Sequence, residues 1–348
     1  MDIKFRPTQV LFLAFVAIIV VGGYFLWKYA VFTKPAPKVY NIGVIRYLKI
    51  YDPIVSGFKE GMAQAGYKEG INVVYHRYDV DNVGDVNAAA KELIQKNVDL
   101  IFAVTTVAGV VTLKETELAQ RTDIPIVFAQ GNLAQRAGLV KSLESSGNNT
   151  TGVAVDFVGL TAKKLEFLKV IKPGVKKLGY FDAAHGDPAV TFALEELKIQ
   201  APKFGIRLVP YRHTSPVGPA ATEEIKNILQ KIKPGEIDAY FHLPGPIMGF
   251  QNQPIIINEL NRLKIPGVWL ELPSVAIGGL FSYSQDLFDL GRQAVFMADK
   301  VLKGAKPADI PVELPRQYFL HINLRTAREI GLTIPQEVLL LTNKIYQE

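Results

Sequence analysis

The stretch Val98 to Val111, VDLIFAVTTVAGVV, decides the reading of the fold. Leu100 to Val104 is a continuous apolar run, the mark of a strand buried on both faces of a parallel sheet. The run breaks at Thr105-Thr106 and restarts as a helix near Val107, which leaves first-turn N–H groups unpaired beside the strand end. Such a turn holds a small polar or anionic ligand. Most doubly wound domains contain several empty ones, so its weight comes from a second copy further along the chain.

That copy is Ile237 to Phe241, IDAYF, which answers Val98 to Phe102, VDLIF. Leu178-Gly179-Tyr180-Phe181 answers Ile42-Gly43-Val44-Ile45, Phe204-Gly205-Ile206 answers Ala65-Gly66-Tyr67, and Lys264-Ile265-Pro266 answers Asp123-Ile124-Pro125. Gly66 to Asp99 and Gly205 to Asp238 both span 33 positions, and Asp99 to Pro125 spans 26 against 28 for Asp238 to Pro266. Four landmarks in order predict two similar α/β lobes.

Within the first copy, strands at Val39 to Ile45, Ile71 to Tyr75, Leu100 to Val104 and Ile126 to Ala129 alternate with helical patterns. Alternation of this kind predicts parallel sheets with helices on both faces. Arg46, Tyr47 and Tyr51 lead into the first helix. Asn148 to Thr151 carries the N-glycosylation pattern twice but reads as a turn into the Gly152 strand, and Gly152 to Asp156 reads as the first lobe crossing. Beyond the second copy lie a strand at Leu280 to Tyr283, a long helix from about Asp286 to Leu302, a last strand at Tyr318 to Ile322 and a short helix capped by Asn323. Those leftover pieces pass back across the hinge and imply about three crossings.

The first forty residues differ from the rest. Val10 to Trp27 carries no charge over 18 residues, and the apolar Tyr29 to Phe32 extends it past Lys28. The expectation is an uncleaved membrane anchor at 1–34, with a signal peptide cut near Val21-Gly22-Gly23 as the rival, followed by a short Pro-rich linker to 38. Lobe 1 is then 39–154 plus 285–311, and lobe 2 is 155–284 plus 312–348. Basic residues flank the apolar segment on both sides and leave its orientation open.

The 348 residues carry a net charge of +6. Residues 1–38 hold five basic side chains and one acidic, leaving 34 against 32 in the body. A nearly neutral body does not indicate a basic face for phosphate backbones, so nucleic acid is not an expected partner. The absence of cysteine excludes disulfides, thiolate metal sites and a lipidated cysteine. Five scattered histidines lack metal-ligand spacing, and no cofactor is expected.

Signatures of dinucleotide and phosphate loops, nucleophile elbows and zinc proteases are all missing. Asp182, His185 and Asp187 lie close enough to shuttle protons, which keeps a cleft hydrolase as a remote reading. A solvated loop that hydrogen-bonds a ligand explains them with fewer assumptions. A DNA-binding regulator of similar fold would need a helix-turn-helix where Val10 to Trp27 lies. Ligands of open α/β sheets sit outside the carboxyl ends of the strands. The candidate loops are therefore Arg46-Tyr47, Thr105-Thr106 and Gln130-Gly131-Asn132 in lobe 1, and DAAHGDP (Asp182 to Pro188), Leu243-Pro244-Gly245-Pro246 and Glu271 to Ser274 in lobe 2. Tyr283 sits at the second crossing.

Several segments also carry a family likeness: IGVIRY, GFKEGMAQAGYKEGINV, VDLIFAVTT, IPIVFAQGN, NTTGV, KPGVKKLGYF, DLGRQAVFMADKVLKGAKPADIPVE and HINLRTAREIGLTIP. Residues 39 to 341 resemble the bacterial ABC transporter substrate-binding proteins, in the branch that includes binders of tryptophan and other aromatic amino acids. The run from Leu290-Gly291-Arg292 to Val312 is the most specific part. The resemblance implies a type I periplasmic binding fold, two lobes closing on a ligand at a hinge crossed three times. It implies capture of a small organic molecule for an ABC permease, no catalysis, and an extracytoplasmic location. The alternative function is a tethered sensing domain read by a partner receptor or kinase.

On the same resemblance, contact loops carry Arg46, Thr105, Thr106 and Gln130 in lobe 1, and Asp182, His185, Gly186, Asp187, Pro244 and Glu271 in lobe 2. Gly245 completes the Pro244 loop, and Tyr47 and Tyr283 are placed to stack on a ring. Family members commonly carry Gln in place of Arg46, an Asn-Pro-Gly type loop in place of Asp182 to His185, and Asp or Ser near Glu271. An amino acid would set its carboxylate at Thr105-Thr106 and its ammonium at Glu271 or Asp187. Arg46 is expected to pair with Glu271 in an empty cleft, or to bind a second carboxylate.

Overall fold

The computed structural model describes residues 7–32, 38–183, 188–215, 218–244 and 252–347. After helix α1 (Pro7–Phe32) come β1 (Tyr40–Tyr47), α2 (Asp52–Gln64), β2 (Val73–Val80), α3 (Val83–Gln95), β3 (Leu100–Val104), α4 (Thr106–Leu118), β4 (Ile126–Asn132) and β5 (Thr150–Val155). The second set is α5 (Thr161–Ile171), β6 (Lys177–Ala183), α6 (Pro188–Gln200), β7 (Arg207–His213), α7 (Pro219–Lys231), β8 (Ala239–Phe241), α8 (Gln253–Arg262), β9 (Gly267–Trp269), α9 (Pro273–Ala276) and β10 (Phe281–Ser284). The chain ends with α10 (Leu287–Leu302), β11 (Phe319–Asn323), α11 (Leu324–Glu329), α12 (Gln336–Leu340) and β12 (Lys344–Tyr346).

Two sheets result, one ordered β2-β1-β3-β4-β5 and the other β12-β11-β10-β9-β8-β6-β7. Read from β7, the second sheet runs second, first, third, fourth, fifth strand of its copy, as the first does. The repeat seen in the landmarks is thus a repeat of topology. Its aspartates have one job in both copies. Asp99 accepts the backbone N–H of Asn41 on β1, and Asp238 accepts those of Lys176 and Lys177 at the start of β6. Gly66 and Gly205 match too, each ending a helical segment at positive φ (97° and 67°), where a side chain is strained.

All strand pairs are parallel except β10 with β11. That antiparallel pair and the edge strand β12 extend sheet two beyond the repeat, and β12 is a strand the sequence reading did not include. β3 is buried along its whole length, at the centre of its sheet. Helix α10 starts at the cap Asp286, whose carboxylate accepts the Phe288 and Asp289 N–H groups. Its apolar face packs with α2 against β1, β3 and β4. Gly291 makes that approach possible, because a Cβ there would collide with the Ile54 carbonyl.

The chain passes between the sheets three times, between Val155 and Thr161, between Ser284 and Leu287, and between Leu302 and Phe319. Two sequence expectations are corrected here. Gly152 to Val155 is not crossing chain but part of β5, and the crossing follows it. Gln130 to Asn132 is not a turn but the end of β4, where a register shift between Phe128 and Gly131 leaves Gln130 at φ 61°.

Helix α1 forms where the apolar N-terminal segment lies, with Phe12, Phe15, Ile18 and Ile19 exposed. Among the described residues no helix is long and apolar enough to cross a membrane.

Candidate functional site

The carboxyl ends of lobe 1 are strained. Leu48, Thr105 and Gln130 follow or end β1, β3 and β4, and all three have positive φ (69°, 92° and 61°). A β-branched residue at φ 92° is a genuine outlier, and such residues persist only where surrounding structure enforces them. Order 2-1-3-4-5 puts the topological switch point between β1 and β3, where Leu48 and Thr105 lie.

At this edge most polar side chains are engaged locally, although Arg46 Nη1 and Asn132 Oδ1 are buried and have no hydrogen-bond partner among the described residues. Arg46, 6% exposed, lies 3.1 Å from Asp79, 3.2 Å from Asp52 and 3.5 Å from Asp81. It therefore does not pair with Glu271. Three aspartates of its own lobe surround the guanidinium, and Arg77 shares Asp79 and Asp52 with it. Both arginines hold the Asp79 carboxyl below its ordinary range against a desolvation that would raise it. Tyr47, the last residue of β1, is half-buried, with its phenol raised by burial and then by Asp81. Thr105 caps α4 by accepting the Ala108 N–H at 3.4 Å, and Thr106 donates its hydroxyl to the Asn132 carbonyl at 2.7 Å. Both threonine hydroxyls are thus engaged within the lobe.

The opposing edge is built around Glu271, two residues past β9 and 4% exposed. Its Oε1 accepts the Tyr51 hydroxyl at 3.2 Å and the Gln130 amide at 3.4 Å, so lobe 1 donates twice to a carboxylate of lobe 2. Its Oε2 is buried and has no hydrogen-bond partner among the described residues. Gln285, at the second crossing, donates to Gln130 at 3.2 Å and accepts from Ser284 at 3.1 Å, which fixes the amide aimed at Glu271. Burial raises the Glu271 carboxyl to about 7, opposed by the Tyr51 hydrogen bond and by Lys164. Burial, then the charge of Glu271, pushes the Tyr51 phenol well above its usual value.

Lys164 is the residue the sequence reading missed. It is 1% exposed on α5, on the stripe shared with Thr161, Leu168 and Ile171, and donates to the Leu270 carbonyl at 3.1 Å. Burial lowers its ammonium to about 7, opposed by Glu271. A lysine at helical spacing among apolar residues was the available signal. Tyr51 had no comparable one, since a tyrosine at a helix entrance is ordinary packing.

Of the other expected residues, Asp182 lies one residue before the end of β6 beside Arg212 at 3.5 Å, and Pro244 is buried past β8. Tyr283 packs between Phe167 and Tyr318, with ring centroids 5.4 and 5.9 Å away, so its ring belongs to the lobe 2 wall. His185, Gly186, Asp187 and Gly245 lie outside the described residues. The lobes also meet where the Arg136 guanidinium lies 4.0 Å over the Phe192 ring. A cavity of about 520 Å³ between α2, α10 and residues 315–319 has Gln285 in its wall.

Comparison with known proteins agrees with this architecture. The family model described as ABC transporter substrate binding protein matches residues 41–346. A tyrosine-binding protein of Clostridioides difficile (strain R20291) is 27% identical over 299 residues, covering 85% of this chain and 82% of the relative. A Streptococcus pneumoniae ABC domain solved in complex with L-Trp is 28% identical with a TM-score of 0.75, covering 88% of this chain and all of the other. A ligand-free, open substrate-binding protein with adhesive properties from Clostridium difficile shares the fold at 23% identity and a TM-score of 0.70, over 89% of this chain and all of that one. The family consists of binding proteins and not of enzymes. With its two α/β lobes and the family model spanning nearly all of them, the chain belongs to the ABC transporter substrate-binding proteins.

Proposed function

We propose that this chain is the solute-binding component of an ABC importer, capturing an amino acid with an aromatic side chain between its lobes and presenting it to permease subunits. The observation that carries the reading is Glu271, a buried carboxylate that takes two hydrogen bonds from the opposite lobe and whose Oε2 has no hydrogen-bond partner among the described residues. A buried acceptor without a partner costs about 1–3 kcal/mol, more when charged, unless a ligand completes it. An ammonium group is its natural complement. In this reading the ligand's carboxylate faces the N–H groups of Thr106 and Val107 at the start of α4, and Tyr47 and Gln130 line the lobe 1 side. Asp182 and Pro244 would face them from lobe 2, and His185, Gly186, Asp187 and Gly245 remain in the proposed set of contact residues. The printed ligands of two similar proteins, tyrosine and L-Trp, support the choice of class.

The lobes in this reading are 39–154 with 285–311 and 155–284 with 312–348, hinged at the three crossings. Residues 1–34 tether them to the membrane with the lobes extracytoplasmic. The uniformly apolar sequence from Val10 to Trp27 and the exposed Phe12, Phe15, Ile18 and Ile19 support the tether.

The test is thermal unfolding of the full chain in detergent with L-tryptophan, L-tyrosine, N-acetyl-L-tryptophan or glucose. A free aromatic amino acid at a hundred times its Kd should stabilise by about 2.7 kcal/mol, and N-acetyl-L-tryptophan should not. Equal stabilisation by the acetylated compound, or none by either amino acid, removes the reading.

A further inference from the structure

We propose that Lys164 is a positioning residue for capture: its buried side chain, clamped on the Leu270 carbonyl, holds the adjacent Glu271 carboxylate in the ionised form that an amine-bearing ligand requires. The inference rests on the amino-acid reading and deepens it.

The argument begins with the cost of the lysine. Lys164 occupies the core-facing stripe of α5, where Leu168 and Ile171 are fully or nearly buried. An ammonium at such a position is expensive unless a compensating charge lies close. Its described hydrogen bond goes to the carbonyl of Leu270, the residue before Glu271, and Glu271 is the charge that favours its protonated form. A leucine or methionine would fill the stripe without that cost.

Among the described residues the groups that face Glu271 are few. Tyr51 comes from the turn before α2, Gln130 from β4 and Lys164 from α5; Tyr47 acts on Tyr51 behind them. Two of the four are neutral donors that also favour a carboxylate, but only Lys164 brings a formal positive charge. Burial opposes ionisation of Glu271 strongly enough to bring its titration to about 7, and Lys164 acts against that. A protonated Glu271 has lost the charge that an ammonium needs. Deleting the lysine charge therefore moves the onset of binding to higher pH.

The experiment is calorimetric titration of L-tryptophan or L-tyrosine into the full chain in detergent, from pH 5.5 to 9, for the native protein and for Lys164→Met. Native affinity should rise with pH and level off near neutrality. In Lys164→Met the rising limb should move up by about one pH unit, which makes affinity about tenfold weaker at pH 6.5 and leaves it within about threefold of native at pH 9. A lysine that merely supports the fold would weaken binding by the same factor at every pH, and that outcome overturns the proposal, as does no change. Glu271→Gln provides a second route if the lysine variant does not fold. It should bind weakly with no rising limb over this range, and a limb like the native one would show that Glu271 is not the group being set. Failure of both amino acids to bind the native protein would instead remove the amino-acid reading.

Discussion

The two lobes have the same topology and hold energy at their facing edges in different forms. Lobe 1 holds it in the backbone, in Leu48, Thr105 and Gln130 at positive φ, while its charges are matched, Arg46 against Asp79, Asp52 and Asp81. Lobe 2 has no described non-glycine residue at positive φ at the ends of β6, β8 or β9, yet it buries Glu271 and Lys164, neither of which has an ion-pair partner within 4 Å among the described residues. A charge already met by three neighbours offers a ligand little. An undercompensated buried carboxylate offers it a great deal, so Glu271 is the better candidate for recognition and Arg46 the better candidate for architecture.

The largest expected effect concerns the empty protein. Glu271 titrates near 7 in the fold against 4.5 unfolded, so the stability it contributes is complete below 4.5 and is lost as pH rises to about 7. Lys164 titrates near 7 against 10.5, so its contribution is complete above 10.5 and is lost as pH falls to about 7. Together they place a minimum of stability near neutral pH. Glu271→Gln removes the descending limb: its stability relative to the native protein should be near zero at pH 4.5 and reach a gain of about 2 kcal/mol by pH 8. Denaturant unfolding at the two pH values measures it. A variant less stable than native at pH 8 would mean that Glu271 is adequately paired, and the contrast between the lobes would collapse.

What the sequence disclosed follows the same division. The paired landmarks were legible because each performs one backbone task twice: Asp99 and Asp238 tie a strand start, and Gly66 and Gly205 take a left-handed turn. Asn323 was legible as a cap, and it does accept the Thr326 N–H. Glu271 could be named as a candidate because it follows β9 as Gln130 lies near the end of β4. Lys164 was not, because a lysine on an amphipathic helix ordinarily points to solvent and only its place in the apolar stripe says otherwise. Nor was the partner of Arg46. The β1–β2 register sets Arg46 opposite Asp79, and pairing across a sheet is fixed by register that local patterns do not supply. The Gln130 bulge was hidden for a similar reason, since Gln-Gly-Asn carries the same turn chemistry whether it leaves a strand or distorts one. β12 is three residues long and follows the repeat, so no second copy announced it.

The matched charges of lobe 1 make the next prediction. Arg46→Met leaves Asp52, Asp79 and Asp81 facing one another without the central guanidinium. Removing one partner of a buried pair costs about 3–5 kcal/mol, and the partial exposure of the aspartates reduces this to about 2 kcal/mol at pH 7. The Asp79 carboxyl is held below its ordinary value, so the stability it contributes is present above that value and lost as pH falls through the lowered one. The deficit of the variant should accordingly shrink in acid. Denaturant midpoints at pH 7 and pH 3.5 measure the change. A deficit of the same size at both would show that Arg46 acts through packing and not through its charge.

The smallest effect tests the strain itself. Leu48 has φ 69° and is 37% exposed, so its side chain gains little from packing while its backbone sits where glycine is at ease. Leu48→Gly relieves the backbone but increases the freedom of the unfolded chain, which leaves a net stabilisation of about 0.5 kcal/mol. If the strain serves only to aim the chain from β1 into the turn that carries Tyr51, stability should rise while affinity for the amino acid falls, because Tyr51 is then held less firmly against Glu271. A gain in stability with unchanged affinity would separate the strained backbone of lobe 1 from the buried carboxylate of lobe 2. A fall in both would show that the leucine side chain, and not its φ, is what lobe 1 uses at that corner.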